Sequence, residues 1–304
     1  MSVTDPLGAT DSPAAARRRL RFALRNARDE KGKTQAEVAA GLEWSVSKIN
    51  RIENGEVTIS PTDLRALMEL LGVTEPATVE LLTGYARAAR RRGWWDGPEV
   101  RPHLTQAMRQ LIQYEAEATA IRCFQPTLIP GALQTAEYAR AVLDFWSELS
   151  EETRATRQVI RAERGRRLFD RPDRPLYLVL LDASVVQRQV GGPEVMAEQL
   201  RSVLAMIRAG TITVRLVPMI HGAMIGQAGN FTVIDLPEDE NAVVYREMLI
   251  DDDHVRDDAE TVERYRRVFE QMWDVALDPD ESATVIDGNA ATMSPSILRP
   301  RPGS

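Results

Sequence analysis

The sequence predicts a multidomain protein: an all-α domain of five helices, followed by an α+β or α/β domain with a small sheet of about four strands. In residues 13–92, apolar residues recur at helical spacing between helix-capping signals. From Pro175 onward, short apolar runs typical of strands alternate with helical segments. A length of 304 residues is natural for two such domains.

The boundaries of these domains follow from the local composition. Glycine and proline around Trp94-Trp95 break the helical pattern and indicate a linker. The predicted organisation is a disordered tail (1–12), an all-α domain (13–92), a linker (93–102), an α+β or α/β regulatory or partner-binding domain (103–287) and a proline- and serine-rich disordered tail (288–304).

Composition excludes several classes of protein. No apolar run is long enough to span a bilayer, and the N-terminal residues do not resemble a signal segment. A single cysteine, Cys123, excludes an internal disulfide framework and fits a reducing compartment. With only three histidines besides, we expect no metal site. We therefore expect a cytoplasmic protein without membrane contact.

The net charge of −7 conceals an asymmetry between the two parts of the chain. Residues 1–93 carry 15 Lys and Arg against 12 Asp and Glu, whereas the remaining residues carry 23 against 33. A locally basic domain joined to an acidic one is typical of a nucleic-acid-binding module attached to a domain that does not touch nucleic acid.

Each helix of the first domain has its own start signal. The first helix opens near Pro13, and its apolar face includes Leu20 and Leu24. The next four begin at Thr34, which forms a capping box with Glu37, at Ser45, at Ser60-Pro61 and at Pro76. The fifth helix is expected to reach the arginines at 90–92.

Residues 34–54 read as two short helices joined by a tight turn. With the small Ala39 at their crossing and apolar residues at Leu42, Ile49 and Ile52, this stretch resembles the helix-turn-helix domains of the XRE (phage-repressor-like) family. The resemblance implies a lambda-repressor-like fold. The sequence departs from the family at the turn, where Glu43 replaces the usual glycine, and at Trp44, where a smaller aliphatic residue is usual. Glu43 would then need a positive φ, which strains a residue other than glycine.

The second domain is expected to contain four strands, LYLVLLD, TITVRLVP, FTVIDL and AVVYREM, and a closing helix at about 257–277. Its segments LIPGALQTAEYARAVL, VGGPEVMAEQL and VERYRRVFEQMWDVALDPDES resemble the WhiJ-like, antitoxin-like regulators of filamentous actinobacteria. That resemblance covers residues 17–287. It implies a DNA-binding regulator that is often paired with a small, separately encoded partner protein.

The third helix is the candidate DNA-reading element. Arg51 could donate two hydrogen bonds to guanine, and Val46 could touch a thymine methyl group. Thr34 and Gln35 stand at a helix N-terminus, which favours a phosphate. The candidate DNA contacts, in part carried over from the XRE pattern, are Thr34, Gln35, Ser45, Val46, Ser47, Lys48, Asn50, Arg51 and Asn54.

Other charged residues allow more than one interpretation. The XRE resemblance implies a structural ion pair between Arg28 and Glu53, which would fix helix orientation more than it adds stability. The arginines at 17–19 and 90–92 could meet phosphates, or they could be solvated or face the acidic second domain.

Three further segments contain residue types that occur in binding or catalytic sites. The acidic segment 238–260 lacks calcium-loop spacing, which favours a solvated face, although a surface for a basic partner is an alternative. The loop HGAMIGQAGN, with His221, lacks the spacing and the lysine of a phosphate-binding loop. Cys123 lies in an apolar stretch and is expected to be buried and inert. We therefore expect no catalytic residues and no cofactor.

The sequence thus predicts a sequence-specific transcription regulator, associated with the nucleoid, that binds double-stranded DNA as a homodimer. Its second domain would dimerise, sense a ligand or bind a small partner protein encoded nearby. Two alternatives stay open: an antitoxin-like protein whose main task is to hold that partner, and a small-molecule receptor or enzyme domain located by a DNA-binding head.

Overall fold

The computed structural model describes residues 13–55, 57–146, 148–222, 229–237, 242–247 and 254–293. The chain divides into two compact units between Gly97 and Pro98. Each unit has its own hydrophobic core. The tail predicted at residues 1–12 lies outside the described residues.

The first unit contains the five predicted helices, which confirms its all-α class. They are α1 (Pro13–Glu30), α2 (Gln35–Gly41), α3 (Val46–Glu53), α4 (Pro61–Leu71) and α5 (Pro76–Ala88). Every helix contributes to a single core, for example through Leu24, Val38, Ile49, Leu64 and Leu82. A short 3-10 turn, Trp94–Asp96, follows α5.

Side-chain caps start α2, α3 and α4 where the sequence predicts them. The Thr34 hydroxyl accepts the backbone N–H of Glu37 at 3.2 Å, and the Glu37 carboxylate accepts that of Thr34 at 2.7 Å. This reciprocal arrangement confirms the capping box. Ser45 and Ser60 each accept a backbone N–H from the first turn of the following helix, and Pro61 occupies the first position of α4.

The second unit is an α+β domain around one mixed sheet. Its helices are α6 (Gln106–Glu117), α7 (Ala136–Asp144), α8 (Glu151–Phe169), α9 (Pro193–Arg208), α10 (Ala259–Val275) and α11 (Pro279–Thr292). Its strands are β1 (Ala120–Gln125), β2 (Leu176–Asp182), β3 (Thr213–Val217), β4 (Phe231–Asp235), β5 (Ala242–Arg246) and β6 (His254–Arg256). The sheet order is β3-β2-β1-β4-β5-β6. Strands β1, β2 and β3 are parallel, whereas β4 is antiparallel to β1, β5 to β4 and β6 to β5.

The sheet has six strands rather than the expected four or so. Arg122 interrupts the apolar run of β1, so the segment reads as an irregular apolar stretch and not as a strand. In the folded chain this arginine forms an ion pair with Asp235 of the neighbouring β4, a contact that spans most of the domain in sequence. Strand β6 has three residues, too few for an alternating pattern to be detected.

The two faces of the sheet are covered by different helices. Phe124, Leu180 and Val244 pack against α10 through Phe269 and other apolar residues. Side chains alternate along a strand, so the intervening residues of β2 and β5 point to the opposite face. Helix α8, which carries several arginines, lies on that face.

The end of the described chain corrects the predicted tail at 288–304. Helix α11 continues through Thr292, so the first part of that segment is helical, and residues 294–304 lie outside the described residues. Ile286 and Ala290 of α11 are buried where the helix packs against α9 and β3. The Ser282 hydroxyl also accepts the backbone N–H of Leu216 at 3.0 Å. These tertiary contacts stabilise a helix whose own sequence has little apolar periodicity.

Candidate nucleic-acid interface

Helix α3 buries one face and presents the other to solvent. Ile49 and Ile52 belong to the core of the first unit. On the opposite side, Ser47, Asn50 and Arg51 are exposed, and Val46 is 48% exposed, which is unusual for an apolar side chain. An exposed polar face with one exposed aliphatic residue suits the edges of bases in a major groove.

A buried ion pair holds α3 against α1. Arg28 donates from Nε to Glu53 Oε1 at 2.6 Å and from Nη2 to Glu53 Oε2 at 3.1 Å. The two side chains are only 11% and 7% exposed. The hydrogen bonding of Arg28 to the Glu53 carboxylate is the main reason that the pKa of Arg28 is raised. Such a bidentate, desolvated pair fixes the angle between the two helices.

The same carboxylate organises the residues predicted to contact DNA. Gln35 at the start of α2 donates from Nε2 to Glu53 Oε2 at 2.8 Å. Asn50 then donates to Gln35 Oε1 at 3.4 Å, and Asn54 donates to Asn50 Oδ1 at 2.9 Å. Three predicted DNA contacts are therefore joined in one hydrogen-bonded chain that starts at a buried charge, an arrangement that the sequence pattern did not reveal.

Two of the residues predicted to contact DNA, Thr34 and Ser45, also cap helices. The hydroxyls of Thr34 and Ser45 accept the cap hydrogen bonds of α2 and α3. Each still stands at the first turn of its helix, where backbone N–H groups favour a phosphate oxygen. The structure therefore supports a backbone-mediated role for both residues better than a base-reading one.

Lys48 is held by neighbouring side chains rather than projecting freely. Its Nζ lies 3.1 Å from Asp63 Oδ2 of α4 and 3.6 Å from the centre of the Trp44 ring. This cation–π contact gives a physical role to Trp44, the residue that departs from the XRE pattern. To reach a DNA phosphate, Lys48 would have to leave both partners.

The turn between α2 and α3 has the expected strained geometry. Glu43 adopts a φ of 56°, the one positive value among the non-glycine residues that the structure describes. The nearby glycine serves a different purpose. A Cβ on Gly41 would lie 3.1 Å from both methyl carbons of Leu70, so glycine at this position permits the close approach of α4.

The two arginine runs take part in contacts within the first unit. Arg17 donates to the carbonyl oxygen of Ala89 at 3.1 Å, and Arg90 donates to that of Ala86 at 3.0 Å. The guanidinium of Arg18 is buried. The bond from Arg17 links α1 to the end of α5, whereas the bond from Arg90 is local to the end of α5. Together with the burial of Arg18, these bonds favour a structural role for the three arginines.

The remaining candidate segments are described only in part. Residues 223–228 of the glycine-rich loop and residues 238–241 and 248–253 of the acidic segment lie outside the described residues. In the part that is described, Asp258 caps α10 and its pKa is lowered, chiefly by a hydrogen bond from Thr261. No group of three or more His, Cys, Asp or Glu side chains suited to a metal ion occurs among the described residues.

Cys123 is buried in β1, where its Sγ lies 3.5 Å from the Thr232 hydroxyl. Burial raises the pKa of this thiol to about 11. Almost none of it is therefore ionised at neutral pH, which makes it a poor nucleophile.

The arrangement of α2 and α3 defines the class of the first unit, and comparison with known families agrees. Residues 19–82 match the family described as "Helix-turn-helix domain". Residues 108–288, more than half of the chain, match the family described as "Domain of unknown function (DUF5753)", and the chain belongs to that family. Neither a curated protein nor a solved structure matches the chain. Across the described part of the molecule, no helix has the length and apolar character that crossing a membrane requires.

Relief of the strained turn gives a first testable prediction. Glu43→Gly should raise the free energy of unfolding of the first unit by about 1 kcal/mol, because glycine adopts a positive φ without steric cost. Denaturant unfolding followed by circular dichroism measures the change. The matched control Glu43→Ala removes the charge but keeps the Cβ, and it should give no such gain. A less stable glycine variant would contradict the assignment of strain to this residue.

Loss of the buried carboxylate should have the opposite effect. Glu53→Ala removes the acceptor of two hydrogen bonds from Arg28 and leaves that guanidinium with Asp29 as its charged partner, so we expect a loss of about 1–3 kcal/mol in the free energy of unfolding of the first unit. The double variant Arg28→Met with Glu53→Leu removes both charges and should recover at least half of that loss. A double variant that is no more stable than Glu53→Ala would show that the Arg28 charge left without Glu53 is not the cause of the loss.

Proposed function

We propose that this chain is a sequence-specific DNA-binding transcription regulator that acts as a dimer, of the WhiJ-like, antitoxin-like kind. The observation that carries the proposal is the exposed face of α3, held in place by the hydrogen-bonded chain from Arg28 through Glu53 and Gln35 to Asn50. A reading helix that is already fixed in orientation loses little conformational freedom on binding.

Residues of the interface divide into two groups. Arg51 and Val46 would read bases, with Ser47 and Asn50 beside them. Backbone N–H groups at the starts of α2 and α3 would hold phosphates and set the register. Gln35 would serve both groups, since its amide is oriented by Glu53 and Asn50 at the edge of the interface.

Dimerisation is proposed because one short helix reads too few bases for useful specificity. Two copies related by a two-fold axis would read two half-sites about 34 Å apart, one helical turn of DNA. The second unit would provide the dimer contact or respond to a small molecule or a partner protein. We propose no catalytic role for it, in keeping with the buried thiol of Cys123.

One selection experiment tests the DNA-binding part. The full-length chain is incubated with random duplexes, and bound sequences are amplified and read. We expect enrichment of a motif with two related half-sites at one-turn spacing, and a dimer mass for the bound protein in sedimentation. Absence of any enriched motif would overturn the proposal. Purification from the native host would show in parallel whether a small partner protein accompanies the chain.

The guanidinium of Arg51 gives the sharpest single test. Arg51→Ala should weaken binding to the selected site by about 10–100-fold, because it removes a bidentate contact to a base. Binding to an unrelated duplex should change much less. Gel-shift titrations measure both affinities. Arg201→Ala, which removes an exposed positive charge from the second unit, is the matched control and should bind as the parent does. Equal affinity of the Arg51 variant and the parent for the selected site would contradict the assignment.

A further inference from the structure

The carboxyl ends of the parallel strands β1, β2 and β3 meet at one edge of the sheet. In sheets of this kind, ligands bind at that edge, near the loops that follow the strands. The loop after β1, residues 126–135, contains the residues LIPGALQ, the first part of a segment on which the family resemblance rests and to which no chemistry is assigned. We call it the β1–α7 loop.

Buried groups hold the β1–α7 loop in one conformation. Gln199 of α9, fully buried, accepts the N–H of Thr135 at 2.7 Å and donates to the carbonyl oxygen of Leu133 at 2.8 Å. The Tyr138 hydroxyl accepts the N–H of Ile129 at 3.1 Å. A Cβ on Gly165 of α8 would lie only 2.6 Å from a carbonyl oxygen of the loop, so glycine is required there for the loop to rest on α8.

Beneath this loop, α8 presents a row of arginines. Arg157, Arg161 and Arg164 are four and three residues apart and therefore share one face of the helix. Arg164 forms a bidentate pair with Glu115 at 2.9 and 2.6 Å. Arg157 donates from Nε to the carbonyl oxygen of His103 at 3.0 Å.

Arg161 differs from its two neighbours. In the described part of the chain its one recorded hydrogen bond is a long one, 3.4 Å from Nη1 to the carbonyl oxygen of Ala139. Burial is the main reason that the pKa of Arg161 is lowered to about 10; Arg164 and Arg157 also lower it, whereas Glu247 raises it. Glu247 is exposed, so this partly buried cation, with two cations beside it and one weak acceptor, has room for a further negative group.

The buried hydroxyl of Tyr138 is a second hydrogen-bond donor in addition to the guanidinium of Arg161. Tyr138 is fully buried, and its oxygen is already an acceptor for Ile129. Its own O–H is not seen to donate to any acceptor in the residues that the structure describes. Burial raises the pKa of Tyr138, and the hydrogen bond from Ile129 is the largest of the causes that lower it. The hydroxyl of Tyr138 and the guanidinium of Arg161 both lie against the β1–α7 loop, at Ile129 and at Gly131.

We propose that Arg161 and Tyr138 bind the carboxylate or phosphate group of a small molecule beneath the β1–α7 loop. The Arg161 guanidinium presents parallel N–H donors that match a planar or tetrahedral oxyanion, and the Tyr138 O–H adds a neutral donor. Arg157 and Arg188 contribute attraction. The loop lies next to this guanidinium, since a Cβ on Gly131 would be at an ordinary contact distance of 3.8 Å from Arg161 Nε. This inference rests on the ligand-sensing part of the proposed function and names the class of ligand.

The test measures thermal unfolding of the full-length chain without DNA, in sodium phosphate, sodium acetate and sodium chloride at equal ionic strength. With bound anion, the midpoint of the second unit should rise by about 3 °C or more over chloride. A rise in phosphate alone assigns a phosphate ligand, and a rise in acetate alone assigns a carboxylate. No rise in either salt overturns the proposal.

Two variants separate binding from a structural role. Arg161→Gln should abolish the anion-dependent rise and leave the midpoint in chloride equal to or above that of the parent. Arg201→Gln, an exposed arginine paired with Glu198, is the control and should respond as the parent does. If Arg161→Gln fails to fold, Tyr138→Phe should still reduce the rise by at least half. An unchanged rise in these variants overturns the proposal. Because no DNA is present, this outcome is independent of the Arg51 titration.

Discussion

The first unit depends on the carboxylate of Glu53. It is nearly inaccessible to water, and a charge in that position is tolerated only when donors surround it. Arg28 supplies two donors from α1 and Gln35 supplies one from α2. Because all three bonds converge on one side chain of α3, the three helices cannot shift independently. The orientation of α3 is therefore set by hydrogen bonds and charges within the first unit.

The polar residues near α3 differ in whether their side chains are bonded within the protein or exposed. Those in the hydrogen-bonded chain and those that cap helices also make bonds within the fold, and Lys48 is paired with Asp63 of α4. Val46 and Arg51 remain exposed on the same helix. Specific recognition would then fall on a small set of side chains carried by a rigid support, which is the arrangement that makes contacts to bases selective.

Local signals allowed the sequence to predict the five helices and their starting residues, since a cap such as Ser45 acts within one turn. Features that depend on distant residues were not predictable. Strand β1 is stabilised by pairing of Arg122 with Asp235, and α11 by packing on α9 and β3. The same applies to the candidate sites: the positions in α3 followed a family pattern, whereas the partner of Lys48 and the position of Arg161 under the β1–α7 loop arise only when the chain folds.

The arginines of this chain make different kinds of contact, so the number of arginines alone could not indicate their function. In Arg28 the guanidinium is neutralised by a carboxylate, and in Arg17 it satisfies a backbone carbonyl at a helix end. In Arg161 neither partner is fully supplied by the described residues. The contacts of Arg28 and Arg17 are made within the fold and need no bound ion. Under the anion-binding proposal, the contribution of Arg161 to stability would depend on an anion taken up from solution. A domain whose stability responds to an anion can change its contacts when that anion binds, because binding energy shifts the equilibrium between its conformations.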